Sequence, residues 1–165
     1  MSAGRLRKAL AKKRVREEVY RFAIADDTAA RKKLDEANKA KLLAGIGKNT
    51  EDELSRKFEA EVDAAQAELD ACYEPIVFRG ISDKAFEALV AEHPPVGDDK
   101  EKAAWNVETF RPALIAACAV DADLTAEEWA EELASERWTK ADLNEIFSAA
   151  VRANTRTVSE GLPKG

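Results

Sequence analysis

The stretch that decides the fold is IVFRG at residues 76–80, followed by SDKAFEALVAEHPP at residues 82–95. Apolar side chains alternate in the first segment, with Ile76 and Phe78 on one side, and this alternation predicts a short strand. From Ser82, a good cap, the spacing becomes helical. The helix should end at His93, because the residue before a proline is pushed out of the helical region. The predicted apolar stripe consists of Ala85, Phe86, Leu89 and Val90.

Downstream, a charged loop at residues 96–104 leads into another predicted helix. Thr109 is its predicted cap, with Pro112 in the first turn, where a proline is tolerated. The run from Ala113 to Val120 is nearly all apolar. We therefore expect this helix to be the most buried one, with a turn at residues 121–125.

Two more helices complete this half of the chain. Thr125 and Glu128 have the spacing of a capping box, which predicts a helix carrying Trp129 and Leu133. Thr139 begins the last helix. Its predicted apolar face consists of Leu143, Ile146, Phe147, Ala150 and Val151.

Working back from residue 76, the segment 18–25 also alternates. Tyr20, Phe22 and Ile24 would share one face of a strand, and Val19, Arg21 and Ala23 the other. Aromatic and β-branched residues cluster here, which favours a strand over the alternative of a helix continuing from residue 5.

Between these two strands the sequence predicts a pair of helices. Asp26, Asp27 or Thr28 can cap the first, which runs to about Ala44 on thin apolar positions. The loop at residues 45–49 is a stop signal, the segment 50–53 is a capping box, and the second helix runs to about Cys72. An antiparallel hairpin is expected, and one long helix bent at the glycines is the alternative. The apolar positions are Ala30, Leu34, Ala37, Leu42 and Leu43 in the first helix, and Leu54, Phe58, Val62, Ala65, Leu69 and Cys72 in the second.

These elements predict an α+β fold that is mainly α. A small two-stranded antiparallel sheet receives an inserted antiparallel helical hairpin and is followed by a C-terminal helical bundle. The composition agrees, since 35% of the 165 residues are charged and there are only seven Gly and five Pro. The predicted parts are a basic arm (residues 1–17, either a short helix or disordered), a strand–hairpin–strand unit (18–80), a helical domain (81–155) and a flexible tail (156–165).

The net charge of −6 hides an asymmetry. Residues 92–145 carry 14 acidic against 5 basic side chains, whereas the basic arm carries no acid before residue 17. We expect this arm either to be a solvated terminus or to attract the acidic body, a like chain or, weakly, nucleic acid. Its basic residues are Arg5, Arg7, Lys8, Lys12, Lys13, Arg14 and Arg16.

Nothing in the sequence favours an enzyme, a metal or a cofactor. His93 is the only histidine and stands at a helix end, where an imidazole more often caps carbonyls than catalyses. Cys72 and Cys118 are far apart in the chain and are expected to be reduced, buried thiols. The acidic cluster at 127–132 is typical of a solvated helix face. No apolar run approaches the ~20 residues that span a bilayer, so no membrane partner is expected.

Taken in order, four blocks of the second half resemble the tail assembly chaperones of long-tailed phages, especially phages of actinobacteria. The similarity covers residues 76–154, about half of the chain, and the basic arm has no counterpart in it. The blocks are Ile76 to Arg79; Lys84-Ala85-Phe86 with Leu89 and Glu92-His93-Pro94-Pro95; Asn106 with Glu108-Thr109-Phe110 and Ile115-Ala116-Ala117-Cys118; and Trp138 with Leu143, Phe147 and Asn154.

The resemblance implies a non-enzymatic late protein of viral morphogenesis that binds the helical tape-measure protein. It implies a location in the host cytoplasm and absence from the mature virion. A frameshifted longer form of the chain is a further implied partner. The charge distribution, rather than the resemblance, suggests a homo-oligomer and gives no expectation of nucleic acid as the main partner. The ending at residues 161–165 is compatible with such a frameshift.

A chaperone of this kind needs an apolar groove between helices. We expect the groove around Phe86, Phe110 and Phe147, with Trp129 and Trp138 near its rim and Trp105 exposed in the loop. The full set of candidate client-binding residues is Phe86, Leu89, Trp105, Phe110, Trp129, Trp138 and Phe147. The alternatives are a self-assembling structural or adaptor protein of a phage particle and, less favoured, a DNA-binding regulator that uses the basic arm.

Overall fold

The structure, a computed structural model, describes residues 3–45, 53–99 and 102–157. These residues form seven α-helices and one two-stranded antiparallel sheet, which confirms the predicted α+β, mainly α class. In chain order the elements are α1 (Ala3–Leu10), β1 (Glu17–Ala23), α2 (Thr28–Gly45), α3 (Glu53–Asp70), β2 (Tyr73–Arg79), α4 (Asp83–Glu92), a short 3-10 helix (Gly97–Asp99), α5 (Val107–Cys118), α6 (Ala126–Leu133) and α7 (Lys140–Thr155).

The two predicted strands form and pair. Tyr20 and Phe22 are partly buried while their neighbours in β1 are exposed, as the alternation predicted. The helix that begins the chain ends at Leu10, so the alternative of a helix continuing through residues 18–25 is wrong. The inward position predicted for Ile24 is also wrong: this residue lies beyond the end of β1 and is exposed. β2 begins at Tyr73, three residues earlier than expected, and tolerates Pro75 because an edge strand has unpaired backbone positions.

The chain divides into two compact units, and the division falls inside the strands. One unit comprises Met1–Tyr20 with Ile76–Gly165, and the other comprises Arg21–Pro75.

The unit Arg21–Pro75 contains a helical hairpin in which α2 and α3 pack along each other. Lys33 Nζ lies 2.7 Å from Glu68 Oε2, and Lys41 Nζ lies 3.9 Å from Glu59 Oε1. Because the partner's number falls as the lysine's rises, the helices are antiparallel, and the alternative of one bent helix is wrong. The predicted turn at 46–49 and most of the capping box at 50–53 lie outside the described residues.

The apolar face of this hairpin is narrower than predicted. The buried residues of its described part are Ala30, near the start of α2, and Ala65, in α3. Leu42 and Leu43 were predicted to lie on this face, but they are 71% and 70% exposed, so this prediction is wrong. Leu54 is exposed too, and Cys72 is only partly buried, so its predicted burial is corrected.

In the other unit, the start and stop signals of α4 are confirmed. The Ser82 side chain accepts a hydrogen bond from the Ala85 backbone N–H, and His93 is the C-terminal cap. Phe86, Leu89 and Val90 pack against the core. Ala85, predicted to share their stripe, is exposed.

Helix α5 contains the largest set of buried residues in the described helices, as predicted, but its bounds differ. Its cap is Asn106, whose side chain accepts from the Glu108 N–H at 3.2 Å, so the assignment of Thr109 as cap is wrong. Pro112 therefore lies inside the helix rather than at its start, and it is buried. The helix ends at Cys118, because Val120 leaves it to donate its backbone N–H to Val77 O of β2 at 2.8 Å.

The predicted starts of α6 and α7 are both confirmed, and each of them is a capping box. Thr125 pairs reciprocally with Glu128 at the start of α6, and Thr139 with Asp142 at the start of α7. The predicted turn between α5 and α6 contains Asp121 with a φ of 59°. The predicted apolar face of α7 packs into the core, whose fully buried large side chains are Phe78, Phe110, Leu114, Ile115 and Ile146.

The side chain of Asn154, near the end of α7, hydrogen-bonds the segment that follows β2. Its Oδ1 accepts from the Ile81 backbone N–H at 2.8 Å. Its Nδ2 donates to Ala150 O at 2.8 Å and lies 3.2 Å from Cys118 Sγ. Cys118 is a free, buried thiol, as predicted, and burial raises its pKa.

Candidate helix-binding surface

Four aromatic rings from separate parts of the chain meet on one side of α5. Phe110 is fully buried at the centre, and Trp105 stacks on it with ring centroids 4.5 Å apart. Phe86 of α4 and Phe147 of α7 meet Phe110 edge-on at 6.0 Å and 6.1 Å. Both also meet Trp105 edge-on at 6.3 Å. We call Phe86, Trp105, Phe110 and Phe147 the aromatic cluster.

A backbone hydrogen bond between the end of α4 and the start of α5 helps to bring these rings together. The Asn106 backbone N–H donates to His93 O at 2.9 Å, which holds the segment before α5 against the end of α4. Trp105 precedes this anchor and therefore turns onto Phe110. The His93 ring also meets Phe110, at 6.1 Å. His93 thus ends α4, as predicted, and borders the aromatic cluster.

Trp105 was expected to be exposed in a loop, and this expectation is wrong. Its ring is partly buried because three other aromatic rings surround it. Phe86 and Phe147 are partly buried as well. These three residues stay partly exposed around the fully buried Phe110, so the cluster offers an apolar surface whose positions are set by packing.

Arg111 borders this surface and was not predicted to belong to it. Its guanidinium carbon lies 5.6 Å from the centroid of the Phe147 ring, in cation–π geometry. Its Nε is buried and has no hydrogen-bond partner within the described residues. The only sequence signal was a charged residue next to Phe110 on a largely apolar helix. Arg111 places a positive charge at the edge of the aromatic cluster.

The remaining candidates lie elsewhere. Trp129 is only 4% exposed and belongs to the core, so its predicted place at a groove rim is wrong. Trp138 stacks on Tyr20 with centroids 6.2 Å apart, and its indole N–H donates to Glu132 Oε1 at 2.9 Å. Trp138 is therefore not one of the four rings that form the aromatic cluster, around which the groove was expected. Leu89 lies in α4, three residues after Phe86, and packs against the core.

The basic arm is partly helical, since it contains α1. Its predicted electrostatic residues are exposed with one exception: the Arg16 side chain is 20% exposed and hydrogen-bonds Glu18 Oε1 at 2.6 Å and Thr157 O at 2.7 Å. Arg152 also approaches Glu18, at 3.4 Å. Burial alone would raise the pKa of Glu18, but the hydrogen bond and charge of Arg16, aided by Arg152, lower it. Arg16 is therefore an anchor for the arm.

Within the described ranges, no cluster of three or more His, Cys, Asp or Glu side chains is placed to hold a metal ion. None of the helices in those ranges combines the length and the apolar character that crossing a membrane requires. Comparisons with protein-family models, curated proteins and solved structures each gave no match.

Proposed function

We propose that this chain is a non-enzymatic phage tail assembly chaperone that binds the helical tape-measure protein during tail morphogenesis. The four sequence blocks of residues 76–154 support this proposal through their resemblance to that family. On this proposal the chain acts in the host cytoplasm and leaves before the virion is complete.

The observation that carries the proposal is the aromatic cluster. Phe86, Trp105 and Phe147 come from three separate segments and stay partly exposed around the fully buried Phe110. Rings held in this way lose little conformational entropy on binding, and aromatic side chains are frequent hot spots of interfaces. A helix that lays an apolar stripe across them would bury the surface that each ring still exposes.

The cluster suits a chaperone because it combines a rigid base with a small exposed area. Phe110 and the other core residues hold the rings in place. A tape-measure helix, apolar along one face, aggregates when that face stays in water. Temporary cover by a chain rich in surface charge would keep it soluble until tail-tube subunits replace the cover.

The test is co-expression of the chain with the tape-measure protein of the same phage genome. The soluble yield of the tape-measure protein is expected to rise several-fold, and the two proteins should co-purify. Trp105→Ala should reduce this co-purification at least several-fold, because it removes the ring that covers Phe110.

Trp138→Ala is the matched control, since it deletes the same side chain where the ring stacks on Tyr20 instead. Circular dichroism of both variants would show whether they fold. An unchanged client yield with the wild-type chain, or equal loss of capture in two folded variants, would contradict the proposal.

A further inference from the structure

Helix α1 carries an apolar face that no described part of the chain covers. Every residue from Gly4 to Val15 is exposed. Leu6 and Leu10 are 63% and 60% exposed and lie one turn apart, on the same face. A helix of eight residues is only marginally stable in water by itself. A partner that covers the two leucines of α1 would therefore stabilise this helix.

The charged residues around these leucines are all basic. Among the described residues, none of the six basic side chains from Arg5 to Arg14 forms an ion pair, whereas Arg16 is bound to Glu18. The anchored Arg16 fixes the point at which the arm leaves the body, and the exposed part in front of it presents only positive charge.

The same chain offers a surface of opposite character. Residues 121–136, which we call the acidic segment, carry seven acidic side chains and no basic one, just as residues 1–16 carry seven basic side chains and no acidic one. Glu128 and Glu132 are engaged in the capping box and with Arg137. Leu124 in the same segment is 40% exposed. The exposed acidic side chains without an ion pair in the described structure are Asp121, Asp123, Glu127, Glu131 and Glu136.

We propose that the basic arm of one chain docks onto the acidic segment of a second copy of the same chain. The arm's leucines would pack against Leu124, and its exposed cations would face the exposed carboxylates. Two copies can exchange arms reciprocally, which satisfies both surfaces of both copies in a closed dimer.

Charge favours a second copy over a polyanion. The first 16 residues hold seven of the 26 basic side chains and none of the 32 acidic ones. Residues 17–165 therefore hold 19 basic and 32 acidic side chains, a net charge of −13. Nucleic acid or an anionic membrane would be repelled by this body, whereas a second copy supplies the acidic surface itself. The exposed leucines also have no role on a phosphate backbone.

A charge-swap experiment on the full chain tests this docking. One variant reverses the arm (Arg5→Glu, Arg7→Glu and Lys8→Glu), and the other reverses the acidic segment (Asp123→Lys, Glu127→Lys and Glu131→Lys). By sedimentation velocity at low salt, the wild-type chain is expected to associate and each variant alone to be monomeric. An equimolar mixture of the two variants should associate at least ten-fold more tightly than either alone, because the mixture restores opposite charges.

Further measurements separate the apolar from the charged contribution. Leu6→Ser with Leu10→Ser should weaken association without changing the charge, and added salt should dissociate the wild-type complex. Circular dichroism of every variant checks the fold. A wild-type chain that is monomeric at low salt, a reversed arm that still associates, or a mixture that stays monomeric would each overturn the proposal.

Arm-dependent binding of the monomer to anionic vesicles or to phage DNA would also overturn it, in favour of a polyanion as the arm's partner. The docking does not depend on the chaperone function, because client capture is measured by co-purification and is expected to depend on Trp105.

Discussion

Gly80 lies so close to Ala153 that a Cβ atom at position 80 would overlap the Ala153 carbonyl oxygen. Gly80 directly follows β2, and Ala153 is buried in the last turns of α7. The missing side chain therefore allows the end of a strand to contact a helix backbone, which is a close approach that only glycine permits.

The first prediction is that Gly80→Ala destabilises the protein by about 1–3 kcal/mol, because the overlapping atom is backbone and moves only with its helix. Urea unfolding followed by circular dichroism measures this. Gly45→Ala is the control, since an added Cβ there meets nothing within 4 Å. Equal unfolding free energies of the two variants would show that the backbone of α7 can shift at Ala153 without a measurable cost, which would contradict the prediction.

The second prediction concerns Asn154, whose side chain joins the backbone of Ile81 to the end of α7. Asn154→Ala leaves the Ile81 N–H without its acceptor in a partly buried place and should cost about 1–3 kcal/mol of unfolding free energy. Thr155→Ala, which removes an exposed hydroxyl bonded to Val151 O at 2.9 Å, should cost less than about 0.5 kcal/mol. A smaller effect at Asn154 than at Thr155 would contradict the linking role.

The third prediction is a pH dependence at Glu18. Its pKa is lowered below the ordinary value of 4.5, because Arg16 and Arg152 outweigh the effect of burial. The stability that ionised Glu18 contributes is therefore present above about pH 4.5 and is lost as the pH falls through the lowered pKa. Glu18→Gln should reduce stability by about 1 kcal/mol at pH 7, and the difference should vanish in acid.

Glu17→Gln is the control for Glu18. Glu17 bonds Arg79 at 2.8 Å, but both side chains are about half exposed, so solvent screens the pair. Its loss should have little effect at any pH. A Glu18→Gln variant whose deficit is independent of pH would show that the ionised form is not what stabilises the fold.

The fourth prediction concerns alkaline pH. Burial, together with the nearby charges of Asp142 and Glu145, raises the pKa of Tyr20 to about 12. A phenol whose pKa is raised in the folded state stabilises the fold fully below its unfolded pKa of about 10 and loses this contribution as the pH rises through the folded value. The ultraviolet titration of the folded chain should show a late tyrosine step that Tyr20→Phe removes.

The fifth prediction follows from the proposed function. Mature phage particles should lack the chain, whereas lysates collected during tail assembly should contain it bound to the tape-measure protein. Quantitative mass spectrometry of purified particles against such lysates measures both. A stoichiometric amount in finished particles would favour the structural or adaptor alternative.

Most of the secondary structure could be predicted because its signals are local. The capping boxes at Thr125 and Thr139 need only residues three apart, and the alternation of β1 is visible in seven residues. The start of α5 was misplaced for a physical reason. Thr109 and Asn106 can both cap a helix, and the structure uses Asn106. The backbone N–H of Asn106 also donates to His93 O, and this contact joins residues 13 positions apart, which a local pattern does not reveal.

The candidate site was predictable only in part. Phe86, Phe110 and Phe147 were expected to converge because each lies on the apolar side of a predicted helix. The burial of Trp105 and the approach of Arg111 to Phe147 depend on how α4, α5 and α7 pack. Trp129 and Trp138 look alike in the sequence, yet the first is in the core and the second stacks on Tyr20.

The sequence by itself determined where α4, α6 and α7 begin, that two strands enclose a hairpin, and that positive charge is gathered in the first 16 residues. These properties depend on side chains a few positions apart, so they are readable without a fold. Only the tertiary structure decided which aromatic rings meet, why position 80 must be glycine, and which of the described leucines are exposed. Those outcomes depend on contacts between residues distant in the chain, which packing creates and local propensity does not specify.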